Sequence, residues 1–158
     1  MDEVFENIKT RRSVRKFKPD AVSQADLDKI IQAGLYAASG KNTQDTIIVE
    51  VVNKAVRDEI SRINCKIGGW AEGFDPFYGA PAMLIVLAKK DCANRVYDGS
   101  LVMGNFMLQA HKLGLGSCWI HRAKEEFESQ WSKDFLAKIG VEGEYEGIGH
   151  CAIGYVDG

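Results

Sequence analysis

No apolar run in this chain approaches the length of a membrane span, and Met83–Ala88 has only the length of a strand. The acidic start, Met-Asp-Glu-Val-Phe-Glu, lacks the apolar core of a signal peptide, which points to the cytoplasm. The four cysteines, Cys65, Cys92, Cys118 and Cys151, form no CxxC pair and show no Cys/His ligand spacing. That disfavours a zinc site or a disulfide framework and leaves each as a reduced, partly buried small residue. Cys118 has no triad pattern near it to support a nucleophile. No GxGxxG follows a first strand and no GxxxxGK[ST] occurs, so neither a Rossmann dinucleotide site nor a P-loop is supported. The net charge is -2 and the pI about 5.9. With no second basic stripe and no aromatic-rich RNA signature, this disfavours a nucleic-acid partner. No repeat, low-complexity tract or linker interrupts the 158 residues, which predicts a single domain over 1–158.

What is present is a basic run, Arg11-Arg12-Ser13-Val14-Arg15-Lys16-Phe17, after a short amphipathic segment and before Pro19-Asp20. A planar guanidinium fork, a hydroxyl and backbone N–H groups can together hold a phosphate. The plain alternative is a solvated charged face. A second polar cluster, Ser39-Gly40-Lys41-Asn42-Thr43-Gln44, follows one helix later, and a dense glycine turn, Gly114-Leu115-Gly116-Ser117-Cys118-Trp119, later still. Together they suggest a phosphorylated cofactor. A chain of 158 residues is small for enclosing a large one unaided, so a shared dimer site is plausible.

The local pattern predicts a helix over 2–9. Ser23 as N-cap, with Asp26 as a weak capping-box partner, opens a helix over 24–38. Ile47–Val52 is apolar on both faces and reads as a central strand. A helix over 54–63 precedes an irregular stretch, 64–81, rich in glycine and aromatics: either a connecting loop or a lid over a flat ligand. A buried strand over 82–88 follows, then a long helix, 96–113, apolar nearly all round and stopped at Gly114. A strand over 117–120, one or two helices over 124–139 and a last strand over 147–156 complete the chain. Gly149 and Gly154 mark close approach or bulges there. The order predicts a mixed α/β layout with buried strands.

These clusters, in this order, resemble the nitroreductase family of FMN-dependent oxidoreductases, specifically its short members. The landmarks are Arg11–Arg15, Ser39–Gln44, Asp75-Pro76-Phe77-Tyr78-Gly79-Ala80-Pro81, the long helix running into Gly114–Ile120, and the closing Ile153-Gly154-Tyr155. The resemblance implies an α+β fold: a central, mostly antiparallel sheet flanked by helices, a long buried helix, and a homodimer with FMN at the interface. It implies that Arg11 and Ser13 hold the phosphate with Arg12 nearby, and that Arg15 sits at the N1/O2 edge of the flavin. Ser39, Asn42 and Gln44 would come from the partner. Trp119, Ile120 and His121 would pass beside the ring, one backbone N–H pointing at N5. Phe74 and Tyr78 are candidates for binding substrate as a lid.

The implied chemistry is hydride transfer from NADH or NADPH through flavin N5 to a nitroaromatic, quinone or similar acceptor, by a ping-pong mechanism. No side-chain acid or base is obligatory, which suits a chain with three histidines, His111, His121 and His150, and no triad. Other readings are a flavin-binding redox sensor, a flavin-modifying or dehalogenating relative, and an anion-binding module. Three departures from the family pattern stand out: Ala38 and Asp45 where proline is common, and Gly104 before Asn105 where glutamine is usual. Family chains also continue past the Gly-Tyr strand into a basic tail, whereas this sequence ends at Gly158. The tail is therefore expected to be missing, or FMN to be held more weakly.

Overall fold

The structure, a computed structural model, describes residues 2–158. Its helices are α1 (Glu3–Thr10), α2 (Gln24–Leu35), α3 (Lys54–Gly68), α4 (Arg95–Lys112), α5 (Ala123–Glu126) and α6 (Gln130–Lys138). Its strands are β1 (Thr46–Val51), β2 (Ala82–Lys89), β3 (Gly116–Ile120) and β4 (Tyr145–Gly154). The strands form one sheet in the order β1-β2-β4-β3, and every pairing between them is antiparallel. The expected α+β class with a mainly antiparallel sheet is what the chain adopts.

β2 is apolar on both sides because it is covered on both. Met83, Ile85 and Leu87 face a core shared with Ile60 of α3, Phe77, Phe127 and Leu136 of α6. Leu84 and Val86 face Leu27 and Ile30 of α2 and Val102, Met103 and Phe106 of α4. Alternation along a strand sends successive side chains to opposite faces, so a continuous apolar run requires helices on each.

β1 corrects the sequence reading: it is an edge strand, not a central one. Its two-sided apolarity has the same cause as that of β2. Val49 and Val51 join one core and Ile48 packs against the other. Two-sided burial reports layers, and does not report position within the sheet.

Helix ends also shift for local reasons. Ser23 Oγ caps α2 through the Asp26 N–H at 3.2 Å, but the helix closes at Leu35, before the expected 38. α3 runs on to Gly68, past the expected end at 63, because Asn64 and Cys65 continue its buried face one turn beyond Ile60 and Ser61. Gly69 then stops it at φ +76, with the Trp70 N–H reaching back to the Cys65 carbonyl. The expectation of a buried long helix holds for one face of α4 only. Val102, Met103, Phe106 and Ala110 are buried, while Tyr97 and Leu101 are exposed.

β4 carries a bulge. Val86 pairs Gly149 and Leu87 pairs Gly147, skipping Ile148. A Cβ at Gly147 would lie 2.2 Å from the Ala123 carbonyl oxygen and 2.5 Å from its carbon. Backbone cannot rotate away as a side chain does. Gly147→Ala is therefore expected to cost about 1–3 kcal/mol, read as a lower urea midpoint at unchanged slope. An unchanged midpoint would mean that α5 lifts off β4 freely.

Candidate functional site around the basic run

The basic run is extended and tied into the sheet edge. Ser13 forms a parallel bridge with Ser117 at the start of β3, and the Val14 N–H donates to the Ser117 carbonyl at 2.9 Å. Further along, Phe17 N–H donates to Tyr78 O at 3.3 Å, Lys18 N–H to Tyr155 O at 2.9 Å, and Asp157 N–H to Lys16 O at 3.0 Å. The run thus collects β3, the aromatic loop and the end of the chain. Gly116 is required for this: a Cβ there would meet Val14 at 2.9 Å.

Within the run the side chains divide. Arg12 Nη1 folds back onto the carbonyls of Lys9 and Arg11, both at 2.8 Å. It thereby caps the electronegative end of α1. Arg11 does the opposite: its Nη1 is buried and has no hydrogen-bond partner among the described residues. Arg11 and Arg12 line a hollow of about 280 Å³ with His111 and Gly114–Ser117. Ser13, Arg15 and Arg11 all act on the Cys118 thiol. Burial raises the Cys118 pKa, and the nearby cations and Ser13 only partly oppose it. A thiol held up in this way stays protonated at neutral pH, in keeping with the absence of a triad.

Ser39, Asn42 and Gln44 form a separate, tightly wound turn. Lys41, Asn42 and Gln44 all have left-handed backbones, at φ 54, 56 and 53. Non-glycine residues are costly there, and a cluster of them points to a functional turn. Ser39 Oγ accepts from the Gln44 N–H at 3.1 Å, and Gln44 Nε2 donates to Asn42 Oδ1 at 3.2 Å. The turn is anchored at the start of α4, where buried Asp98 accepts from the Gly40 N–H at 2.9 Å. The basic run adjoins the other end of α4, where Thr10 Oγ1 lies 2.9 Å from His111 Nε2. Residues 98 and 111 of one helix are about 20 Å apart. One chain does not bring the two clusters together.

Trp119 and Ile120 close β3, and exposed His121 follows. The Trp119 ring lies against Gly149, where a Cβ would meet it at 2.8 Å. Its Nε1 is buried with no partner among the described residues. Phe74 lines an open groove of about 620 Å³ with Trp70, Cys65 and Asp75. Tyr78 is not part of that lining. It stands edge-on to Phe74 at 6.4 Å, at φ 55, its carbonyl accepting from Phe17.

Sequence reasoning missed two sets of residues. Asp75 accepts from Arg57 Nη2 at 2.5 Å, Ser61 Oγ at 2.7 Å, Phe77 N–H at 3.0 Å and Gly79 N–H at 2.8 Å, shaping the aromatic loop. Behind the 120–122 turn lie Asn64, Glu126 and His150, all buried. A histidine inside the apolar strand Gly149–Gly154 was the available signal for the second set. Among the described residues no helix is long and apolar enough to cross a membrane, and no cluster of ligands could hold a metal.

Comparison with known proteins extends this picture. The profile of the Nitroreductase family matches residues 8–67 and 69–155. A candidate NADH dehydrogenase/NAD(P)H nitroreductase of Methanothermobacter thermautotrophicus is 30% identical over 121 residues, covering 74% of this chain and 60% of the relative. This chain thus spans less than two thirds of that relative. The structure of a nitroreductase with bound FMN from Bacteroides fragilis superposes with a TM-score of 0.91 at 28% identity, covering 99% of this chain and 90% of that one. An FMN-dependent nitroreductase from Clostridium difficile gives 0.79 at 31% identity, over 98% and 88%. With its basic run inside the first matched segment and its glycine turn and closing strand inside the second, the chain belongs to the nitroreductase family.

Proposed function

We propose that this protein is an FMN-dependent oxidoreductase that takes electrons from NADH or NADPH and passes them to a nitroaromatic, quinone or similar small acceptor. The observation that carries this reading is Arg11. A buried guanidinium nitrogen without a partner among the described residues is costly unless an anion completes it. Its setting, beside Ser13 and the glycine turn, suits a phosphate. Trp119 Nε1, near the other end of β3, is a second buried polar atom with no partner among the described residues. The residues present therefore fit FMN.

When bound, FMN supplies the two-electron carrier that donor and acceptor use in turn. Arg11 and Ser13 would hold its phosphate. Arg15, exposed and unencumbered by an ion pair among the described residues, would set a cation where negative charge develops on reduction. The backbone from Trp119 to His121 would border the ring. Phe74 and Tyr78 would face the acceptor.

A homodimer completes the site in this reading. Antiparallel pairing of two α4 helices sets the start of one, with its Ser39–Gln44 turn, beside the end of the other, with its basic run. The surface supports such pairing. Val4, Phe5 and Ile8 of α1 are 68%, 56% and 54% exposed, and Leu101 of α4 is 50% exposed. Apolar stripes of this kind mark an interface.

The test is an absorbance spectrum of FMN-reconstituted protein during anaerobic NADH and NADPH addition, with sedimentation of the same sample. The expected result is a dimer whose flavin band bleaches and returns with a quinone or nitroaromatic. A bound flavin that neither donor bleaches would replace this reading with a redox sensor or flavin-modifying protein. Absence of flavin binding would overturn it.

A further inference from the structure

Three buried polar residues gather behind the turn that leaves β3. His150 Nδ1 lies 3.0 Å from the Ile120 carbonyl oxygen. Asn64 Nδ2 donates to the His121 carbonyl at 3.0 Å and to Glu126 Oε2 at 3.3 Å. Arg122 Nε donates to Asn64 Oδ1 at 3.0 Å. Three successive residues, 120 to 122, are thus held by two buried groups: Ile120 by His150 of β4, and His121 and Arg122 by Asn64 of α3. Arg122 needs holding: its φ is +74, and its guanidinium lies 4.4 Å over the Trp70 ring.

Glu126 joins the array from below. Its Oε2 lies 3.0 Å from His150 Nε2, with both side chains fully buried. His150 Nε2 makes no well-directed hydrogen bond across this contact, and Glu126 Oε1 has no partner among the described residues. A carbonyl only accepts, so Nδ1 carries the hydrogen toward Ile120. Apolar replacement of a buried pair of this kind is often neutral or stabilising, so the pair is weak evidence for a stability role. What the array does is aim peptide groups.

We propose that Glu126, His150 and Asn64 are positioning residues that set the orientation of the Ile120–Arg122 peptides where they border the cofactor. The inference rests on the flavin reading for its functional consequence, but the ordering of the turn is a property of the chain itself. His150→Phe keeps the ring against Phe77, whose centroid is 5.1 Å away, and deletes both polar contacts. His150→Asn restores a donor near the Nδ1 position.

Two measurements test it. In cofactor-free protein, amide exchange at residues 120–123 is expected to speed up at least ~10-fold in His150→Phe and to return to within ~3-fold of wild type in His150→Asn. In FMN-loaded protein, the two-electron midpoint is expected to move by about 30 mV in His150→Phe, a tenfold change in relative affinity for the two redox forms. FMN affinity should stay within ~3-fold, and His150→Asn should restore the potential. A lower melting temperature with local exchange and potential both unchanged would overturn the proposal and leave a packing role only. Glu126→Gln, nearly isosteric, is read in the same assays. Failure of both His150→Phe and Glu126→Gln to fold would equally assign the array to stability. If wild-type protein binds no FMN, the flavin reading fails, while the exchange experiment still decides the array.

Discussion

Arg11→Ala is expected to weaken FMN binding by about 100-fold while leaving the cofactor-free protein as stable as wild type or slightly more so. A charge-assisted hydrogen bond is worth about 1.5–3 kcal/mol, and a phosphate engages a guanidinium through more than one. In the cofactor-free chain the same nitrogen has no partner among the described residues, so alanine removes a desolvation cost and no stabilising contact. The opposite signs separate binding from folding. Arg15→Ala should behave differently. Its side chain is exposed, so stability should stay within about 0.5 kcal/mol. FMN affinity should change little. Reduction by NAD(P)H should slow by about 10²-fold, the usual effect of removing one preorganised charge-stabilising group. Isothermal titration with FMN, a melting curve and anaerobic stopped-flow reduction check all three quantities. Wild-type affinity and reduction rate in both variants would remove the basic run from the cofactor site.

Asp75→Ala is expected to cost about 3–5 kcal/mol of stability. Arg57 is buried, and its Nη2 donates to Asp75 at 2.5 Å. Without the carboxylate, a guanidinium is left buried against Ala80 O and the Phe77 ring, with only the exposed Asp58 at 3.3 Å as a charge partner. The Ser61 hydroxyl and the N–H groups of Phe77 and Gly79 lose their acceptor as well. For a chain of this size the loss corresponds to a melting temperature about 10 °C lower. A fall of under 1 kcal/mol would show that water reaches Arg57 readily. The same pair gives an acid dependence. Burial pushes the Asp75 pKa up, but the hydrogen bonds from Arg57, Ser61 and Phe77 outweigh it, and the result lies below the usual carboxylate value. A depressed folded-state pKa contributes stability that is present above the unfolded value, about 3.9. That stability is lost as pH falls through the lower folded value. Wild type should therefore lose stability below about pH 4 more steeply than Asp75→Ala, in urea melts run across that range.

Much of the local structure was legible in the chain. Ser23 announces the start of α2 by its hydroxyl, and Met83–Ala88 announces a strand covered on both sides. Gly114, at φ +81, announces the stop of α4. Each is a statement about neighbours within a few residues, where side-chain period and cap chemistry act directly. The family was legible too, because Arg11–Arg15, Ser39–Gln44 and Gly114–Ile120 recur in fixed order. The helix ends at 35 and 68 were less so, since they depend on which residues find a packing partner.

Sequence alone determined the class of layers, the candidate cofactor groups and the family, since periodicity, charge and motif order are properties of a string. Tertiary structure decided the rest. It put β1 at the sheet edge, because strand order is a matter of long-range pairing that local apolarity does not encode. It turned Arg12 back onto α1 and left Arg11 Nη1 without a partner among the described residues, a distinction between adjacent identical residues that only surroundings can make. It set the Ser39–Gln44 turn and the basic run at opposite ends of α4, a separation fixed by helix rise. And it gathered Asn64, Glu126 and His150, scattered along the chain, behind one turn, because burial forces polar groups to find each other wherever the fold has brought them.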